Sequence, residues 1–247
     1  NEVVKNLFER KSVRIFEDRP ISPEDRLTIL QAACQAPTAG NQQLYTILEI
    51  TEPALKKRLS VTCDNQPFIA DAPLVLLFCA DCQKWYDAYR YAGCTPRHPS
   101  AGDLMLAVED SSLAAQNAVT AAWSLGIGSC YIGDIMEHCE LHRELFQLPP
   151  YVFPAVMLVL GYPTARQRER IKPARCPLDY IVMENTYRKM DRDALYQMFS
   201  HKSGQQSYED LMTAFCNRKY NSDFSREMGR SVREYLKEFL SSDQTEQ

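Results

Sequence analysis

Apolar residues at the start of the chain are spaced as on one face of a helix, and the chain then becomes extended. The predicted helical face consists of Val3, Val4, Leu7 and Phe8. In residues 11–16 polar and apolar side chains nearly alternate, which predicts an extended segment. This segment would place Arg10, Ser12 and Arg14 on one side and Val13 and Ile15 on the other.

Helices and strands alternate in the prediction for the following residues. Ser22 and Pro23 are typical of a helix start, and that helix would bury Leu27, Leu30, Ala33 and Cys34 and end before Pro37. The apolar run Pro73–Ala80 predicts a central strand buried on both faces. Further strands are predicted at Leu44–Ile50, Ser129–Gly133, Phe153–Leu160 and Asp179–Glu184, and helices at Glu52–Leu59, Gln83–Tyr91, Asp103–Leu125 and Cys139–Phe146.

The last third of the chain differs in composition. Residues 164–176 form a basic segment that we interpret as a linker, and residues 185–247 are predicted to be mostly helical. The final helix would bury a stripe of Phe224, Met228, Val232, Tyr235 and Phe239. The sequence therefore predicts an α+β fold with a mixed central sheet flanked by helices and a helical C-terminal extension.

Composition narrows the classes of protein that fit. The chain has 247 residues, 45% of them hydrophobic, so it can bury a core and general disorder is excluded. A net charge of -4 argues against a nucleic-acid partner. No apolar run reaches the length of a membrane span, and the first ten residues lack the features of a signal peptide. Nine scattered cysteines are typical of reduced thiols, so we expect a cytoplasmic location.

Two basic clusters and one polar loop are candidates for ligand binding. Arg10, Lys11, Ser12 and Arg14 offer three cations and a hydroxyl within five residues, which suits a phosphate dianion; the alternative is a solvated charge cluster. Lys172 and Arg175 could close the same anion site from a second side. The loop 36–43, APTAGNQQ, carries amides that can read a heterocycle edge, or it is a simple polar connection.

Two other motifs fit known sites poorly. The glycines at 126, 128 and 133 follow a helix with GxGxxxxG spacing, which excludes a dinucleotide fingerprint of the Rossmann type. Cys79, Cys82, Cys94 and His98 have a spacing close to that of a zinc finger. Because Cys79 falls inside the apolar run, we favour structural cysteines and expect no metal, with a zinc-containing interaction module as the alternative.

Eight motifs occur in a fixed order along residues 1–190. They are Arg10-Lys11-Ser12-Val13-Arg14, APTAGNQQ at 36–43, Phe78-Cys79-Ala80-Asp81, Ala115-Gln116-Asn117-Ala118, Ser124–Gly128 with Tyr131-Ile132-Gly133-Asp134, Leu160-Gly161-Tyr162-Pro163, Lys172-Pro173-Ala174-Arg175 and Glu184-Asn185-Thr186-Tyr187. In this order they resemble the FMN-dependent nitroreductase family. The resemblance is to the branch with a longer helical C-terminal region, which includes NADPH-dependent nitro and flavin reductases.

The resemblance implies a homodimer with FMN at the subunit interface, and it implies a set of cofactor-binding residues. Arg10, Lys11, Ser12 and Arg14 would hold the ribityl phosphate, helped by Arg175, and Lys172 would lie nearer the phosphate or the ribityl chain. The isoalloxazine ring would contact Pro37, Thr38, Ala39 and Asn41, partly from the partner subunit. Gln66 would contact the ring or the ribityl side, and Tyr131, Ile132, Gly133 and Asp134 would lie against the ring face opposite the substrate. It further implies an FMN-binding domain over 1–190 and a helical extension over 191–247 that packs on it or on the partner.

Two positions depart from the family pattern. Many members carry a second glycine where this chain has Asp134, and an alanine separates Lys172-Pro173 from Arg175. The added carboxylate would change the potential of the flavin or the fit of the substrate.

The implied activity needs no acid–base residue of the protein, because the flavin carries the redox chemistry. We expect a ping-pong reaction in which NADPH or NADH is the donor and a nitroaromatic, a quinone or free flavin is the acceptor. The alternatives are a non-catalytic flavin-binding or sensor protein, and a reductive dehalogenase or enoate-type reductase on the same fold.

Overall fold

The structure is a computed structural model that describes residues 1–204 and 206–240. Contacts divide the chain into two compact units. The first holds residues 1–170 and the segment that begins at Glu227, and the second holds residues 171–226. The boundary that we place at residue 190 stays a prediction.

A four-stranded sheet lies at the centre of the first unit. Its strands are β1 (Tyr45–Glu49), β2 (Leu74–Asp81), β3 (Gly128–Ile132) and β4 (Val152–Gly161), in the order β1-β2-β4-β3. These strands pair antiparallel, with Leu77 opposite Met157 and Tyr131 opposite Leu158. All eight residues of β2 are buried, which confirms the prediction of a central strand covered on both faces.

Helices surround this sheet. They are α1 (Glu2–Glu9), α2 (Pro23–Cys34), α3 (Pro53–Thr62), α4 (Phe68–Asp71), α5 (Gln83–Tyr91), α6 (Ala101–Ser124), α7 (Cys139–Phe146) and α8 (Ala165–Glu169). The second unit contains α9 (Arg192–Ser203) and α10 (Tyr208–Lys219), and α11 (Asp223–Leu240) lies mostly in the first unit. This mixture of helices and strands confirms the predicted α+β class. No helix in the described ranges combines the length and apolarity needed to cross a bilayer.

Two helix layers explain why β2 is apolar throughout. On one face, Leu76 and Phe78 pack with Ile29 of α2 and Ala118 of α6. On the other face, Leu77 packs in a second cluster, which includes Leu59, Ile69 and Met157. The small alanine side chains of α6 let its backbone pack close to the sheet. One face of α6 is therefore buried against the sheet.

The C-terminal helix α11 covers one end of the sheet. Tyr235 and Phe239 are completely buried, in a cluster with Leu104 and Phe153. The rings of Phe153 and Tyr235 meet edge to face, with their centroids 5.1 Å apart. The stripe predicted for this helix is thus confirmed at its C-terminal half.

Four local predictions are wrong. Asp179–Glu184 is not a strand: residues 178–180 form a single 3-10 turn, and Ile181 and Val182 are mostly exposed. The basic segment 164–176 is not wholly a linker, because it contains α8.

The predicted buried face of α2 is also displaced. Ile29 and Ala33 are buried, whereas Leu27 is 54% exposed and Cys34 is exposed. Ile15 likewise does not share the buried side with Val13. In both segments, local spacing predicts one set of buried side chains, and the tertiary contacts bury a different set.

Candidate functional site

The basic segment at residues 10–16 lies along β3. Its anchor is Val13, which is completely buried and whose backbone N–H donates to the carbonyl of Ser129 at 2.9 Å. Ser12 pairs with Ser129 in a parallel bridge, and Phe16 pairs with Pro163. Because Val13 points into the core, the polar side chains on either side of it point away from the core.

Three predicted phosphate ligands converge near Cys130 of β3. Burial raises the pKa of the Cys130 thiol, while the charges of Arg14 and Arg10 and a hydrogen bond with Ser12 oppose that rise. Burial also raises the pKa of Tyr131 to about 12, and the charge of Arg10 again opposes it. The structure therefore brings Arg10, Ser12 and Arg14 together at one strand.

Arg10 carries an unsatisfied buried donor. Its Nη1 atom is buried and has no hydrogen-bond partner among the described residues. A guanidinium N–H in this state normally finds an acceptor, because leaving it unpaired is costly. The charge of Arg10 acts on Tyr131 and Cys130, so this unpaired donor near β3 suits an anionic group of a ligand, such as a phosphate.

Lys11 points to a different set of partners. Its Nζ atom donates to the backbone carbonyls of Arg168 and Arg170, at 2.5 Å each. Arg170 returns a hydrogen bond of 2.5 Å from Nη2 to the carbonyl of Ser12. Lys11 and Arg170 thus tie the basic segment to the end of the first unit.

Gln66 and Asp134 form a second group close to the first. Nε2 of Gln66 donates to Oδ2 of Asp134 at 2.8 Å and to the carbonyl of Cys63 at 2.9 Å. Asp134 begins the 3-10 turn that follows β3, directly after the exposed Gly133. The guanidinium of Arg14 lies 5.9 Å from the ring of Phe68, two residues after Gln66. This contact connects the basic segment, through Arg14, with the segment that carries Gln66.

The loop at 36–43 is organised by a residue that sequence reasoning missed. Asp110 of α6 is 2% exposed and accepts hydrogen bonds from the Thr38 hydroxyl and from the backbone N–H groups of Ala39 and Leu44. Gly40 and Asn41 take positive φ angles of 56° and 58° in this loop. Asp110 falls on the same helical stripe as Ala107 and Ala114, and a lone carboxylate on a buried stripe is the signal that could have revealed it.

The remaining predicted residues lie elsewhere. Pro37 and Asn41 are exposed in the loop, and Ile132 is buried at the end of β3. Lys172 is partly buried and Arg175 is exposed, both in the second unit.

Cys79 and His98, two residues of the possible zinc site, have other surroundings. Cys79 is buried inside β2, where burial raises its pKa to about 12, and His98 Nδ1 lies 2.8 Å from the Tyr151 hydroxyl. Within residues 1–204 and 206–240, no group of three His, Cys, Asp or Glu side chains could hold a metal ion.

Comparison with known proteins identifies the family. The family model described as "Nitroreductase family" matches residues 7–162, which include the basic segment, the polar loop, Gln66 and the turn at Asp134. The chain belongs to the nitroreductase family. This confirms the resemblance carried by the motifs of residues 1–190.

Relatives of this nitroreductase-family chain include enzymes that use flavin and nicotinamide nucleotides. It is 31% identical to the "FMN reductase [NAD(P)H]" of Bacillus subtilis, over 95% of this chain and 91% of that protein. It is 33% identical to the "Oxygen-insensitive NADPH nitroreductase" of Salmonella typhimurium, over 78% and 77%. The solved NADPH:FMN oxidoreductase of Vibrio harveyi, complexed with NAD+, superposes with a TM-score of 0.78 at 25% identity, covering 98% of this chain and 99% of that one.

Proposed function

We propose that this nitroreductase-family chain is an FMN-dependent oxidoreductase that moves electrons from NADPH or NADH to nitroaromatics, quinones or free flavin. The observation that carries the proposal is the buried, unpartnered Nη1 of Arg10 beside β3. The relatives that are FMN reductases and nitroreductases support the same class of reaction.

Arg10, Ser12 and Arg14 are the proposed ligands of the FMN phosphate. Two guanidinium groups and a hydroxyl near one strand match the geometry and charge of a dianion. The ligand roles of Lys172 and Arg175 stay predictions from the sequence. Lys11 adds positive charge while its ammonium group holds residues 168 and 170, so we assign it mainly to positioning.

The ring of FMN is proposed to contact two backbone regions. One is the segment Tyr131, Ile132, Gly133 and Asp134, where the exposed Gly133 lets a flat ring approach the backbone. The other is the loop with Pro37, Thr38, Ala39 and Asn41, which Asp110 holds in place. Gln66 is proposed to add a side-chain contact.

When bound, FMN supplies the acceptance and return of a hydride. The protein's residues then bind and orient the donor and the acceptor in turn over one face, which is the structural basis of a ping-pong reaction. Exposed Asn41 and the polar side chains of its loop can orient such substrates by hydrogen bonding. This division of roles explains why the proposal assigns no acid–base residue.

A homodimer is also proposed. Helices α1 and α6 contact each other, and both expose apolar side chains. Val3 of α1 and Met105 of α6 are 62% and 60% exposed. Exposed apolar side chains on neighbouring helices support a subunit interface. Because the nine cysteines suit a reducing compartment, we further propose a cytoplasmic location.

The test is the visible absorbance spectrum of the purified protein with added FMN, before and after anaerobic NADPH. A bound-flavin spectrum that bleaches with NADPH, followed by recovery on adding a nitroaromatic or a quinone, is the expected result. Bound flavin that NADPH does not bleach would favour a binding or sensor role. Absence of bound flavin would refute the proposed cofactor.

A further inference from the structure

The side-chain amide of Gln66 is held by two groups that only accept hydrogen bonds. Its Nε2 donates to the carboxylate of Asp134 at 2.8 Å and to the Cys63 carbonyl at 2.9 Å. Neither a carboxylate nor a backbone carbonyl can donate, so the nitrogen of the amide must face both. The two neighbours therefore fix which end of the amide is nitrogen.

This arrangement uses both N–H donors of Gln66 and leaves its oxygen. Gln66 is only partly buried, and its Oε1 accepts no hydrogen bond from the residues that the structure describes. The group that Gln66 can offer to a ligand is thus an acceptor. It can bind an N–H or O–H of the ligand and cannot donate to a carbonyl.

Both partners are mounted on fixed backbone. Gln66 follows α3, and its own N–H donates to the carbonyl of Ser60 at 2.7 Å. Asp134 follows β3, and its carbonyl accepts from the N–H of Glu137 at 3.0 Å. Two anchored backbones 68 residues apart therefore hold the two side chains in register.

The carboxyl group of Glu137 lies close to Asp134 but adds little repulsion. Glu137 is 3% exposed, and its burial, together with the charges of Asp134 and Asp64, raises its pKa to about 8. It is therefore mostly neutral at pH 7.

We propose that Asp134 is a positioning residue that holds the Gln66 amide with its Oε1 facing FMN, so that the site selects a hydrogen-bond donor of the flavin. This inference rests on the proposed function. The donor is either the ring N3–H or a ribityl hydroxyl.

A double-mutant cycle on FMN affinity tests the proposal. The dissociation constant of FMN is measured by quenching of flavin fluorescence for the wild type, Asp134→Ala, Gln66→Ala and the double variant. We expect Asp134→Ala to weaken binding about tenfold when Gln66 is present, and to change it less than about twofold in the Gln66→Ala background. The same effect in both backgrounds, or none in either, would overturn the proposal.

Two controls separate positioning from folding. Asp134→Asn keeps an acceptor oxygen for Nε2, so it should retain FMN affinity within about threefold. If Asp134→Asn weakens binding as much as Asp134→Ala, the role of Asp134 is not that of an acceptor. A wild-type protein that does not bind FMN would instead refute the proposed function itself.

The flavin analogue 3-methyl-FMN identifies the donor. If Oε1 accepts from the ring N3–H, the analogue binds weakly and Gln66→Ala no longer changes its affinity. If the donor is a ribityl hydroxyl, the analogue binds like FMN and Gln66→Ala weakens both equally. If Gln66→Ala changes the affinity of neither flavin, the proposal is wrong.

Discussion

Gly128 lies directly against the side chain of Val13. A Cβ atom on residue 128 would be 2.5 Å from Cγ2 of Val13 and 2.7 Å from its Cβ. No side chain fits in this space, so only glycine lets the extended segment approach β3 this closely. The positions of Arg10, Ser12 and Arg14 therefore depend on the absence of a methyl group at residue 128.

Gly128→Ala should displace the basic segment from β3. We expect a loss of about 1–3 kcal/mol in the free energy of unfolding, because the added methyl overpacks a buried contact, together with weaker FMN binding. Urea denaturation and FMN titration measure both quantities. Gly229→Ala is the matched control: nothing lies within 4 Å of that Cβ position, in the interior of α11. An equal loss in both variants would contradict the argument.

Arg10→Ala should weaken FMN binding by about 1.5–3 kcal/mol, the range for a hydrogen bond to a charged group. Arg14→Ala is expected to fall in the same range. FMN titration at constant ionic strength measures the change. Lys5→Ala removes the same charge from the exposed side of α1 and should leave the affinity unchanged. If Lys5→Ala has the same effect, Arg10 acts only through long-range charge.

Asp110→Asn should loosen the loop at 36–43. The asparagine retains one acceptor oxygen for three donors and turns an N–H toward one of them, so we expect a loss of about 2–3 kcal/mol in stability. Hydrogen exchange at Ala39 and Leu44 should accelerate. The neighbouring Glu109→Gln, on the exposed side of α6, is the control and should change neither.

Glu137→Gln should change how stability depends on pH. Burial raises the pKa of Glu137 from 4.5 to about 8, so its contribution to stability is complete below pH 4.5 and is lost as the pH rises through about 8. Because glutamine does not titrate, the variant should gain on the wild type between these values, by roughly 1–3 kcal/mol at pH 9. The melting temperatures at pH 5 and pH 9 measure this gain.

The control for that prediction is the exposed Glu144→Gln on α7. It should shift the melting temperature equally at both pH values. A pH-independent difference between wild type and Glu137→Gln would show that the carboxyl of Glu137 is not buried in solution.

Features with a strong local signal could be predicted from the sequence. The apolar run that became β2 has no alternative to a buried central position, and Ser22 caps α2 through the N–H of Asp25 at 3.0 Å. The extended segment at 11–16 follows from its alternation. The ordered motifs predicted the family, and the family model that matches residues 7–162 confirms it.

Features that depend on distant residues could not be predicted. Val182 has a high β propensity, but it forms no strand because no neighbouring strand pairs with it among the described residues. The sequence does not distinguish Lys11 from its basic neighbours, because its acceptors, the carbonyls of Arg168 and Arg170, are distant in the chain. The partners of Asp110 and of Asp134 are 66 to 72 positions away.

The contacts of Lys11 have a consequence for the order in which this protein matures during synthesis. The ammonium group is made among the first residues, but its acceptors are 157 and 159 positions later. Val13 similarly waits for Ser129. A nascent chain shorter than about two thirds of the protein therefore lacks the carbonyl acceptors of Lys11. The basic segment is therefore fully anchored only after most of the chain has been made.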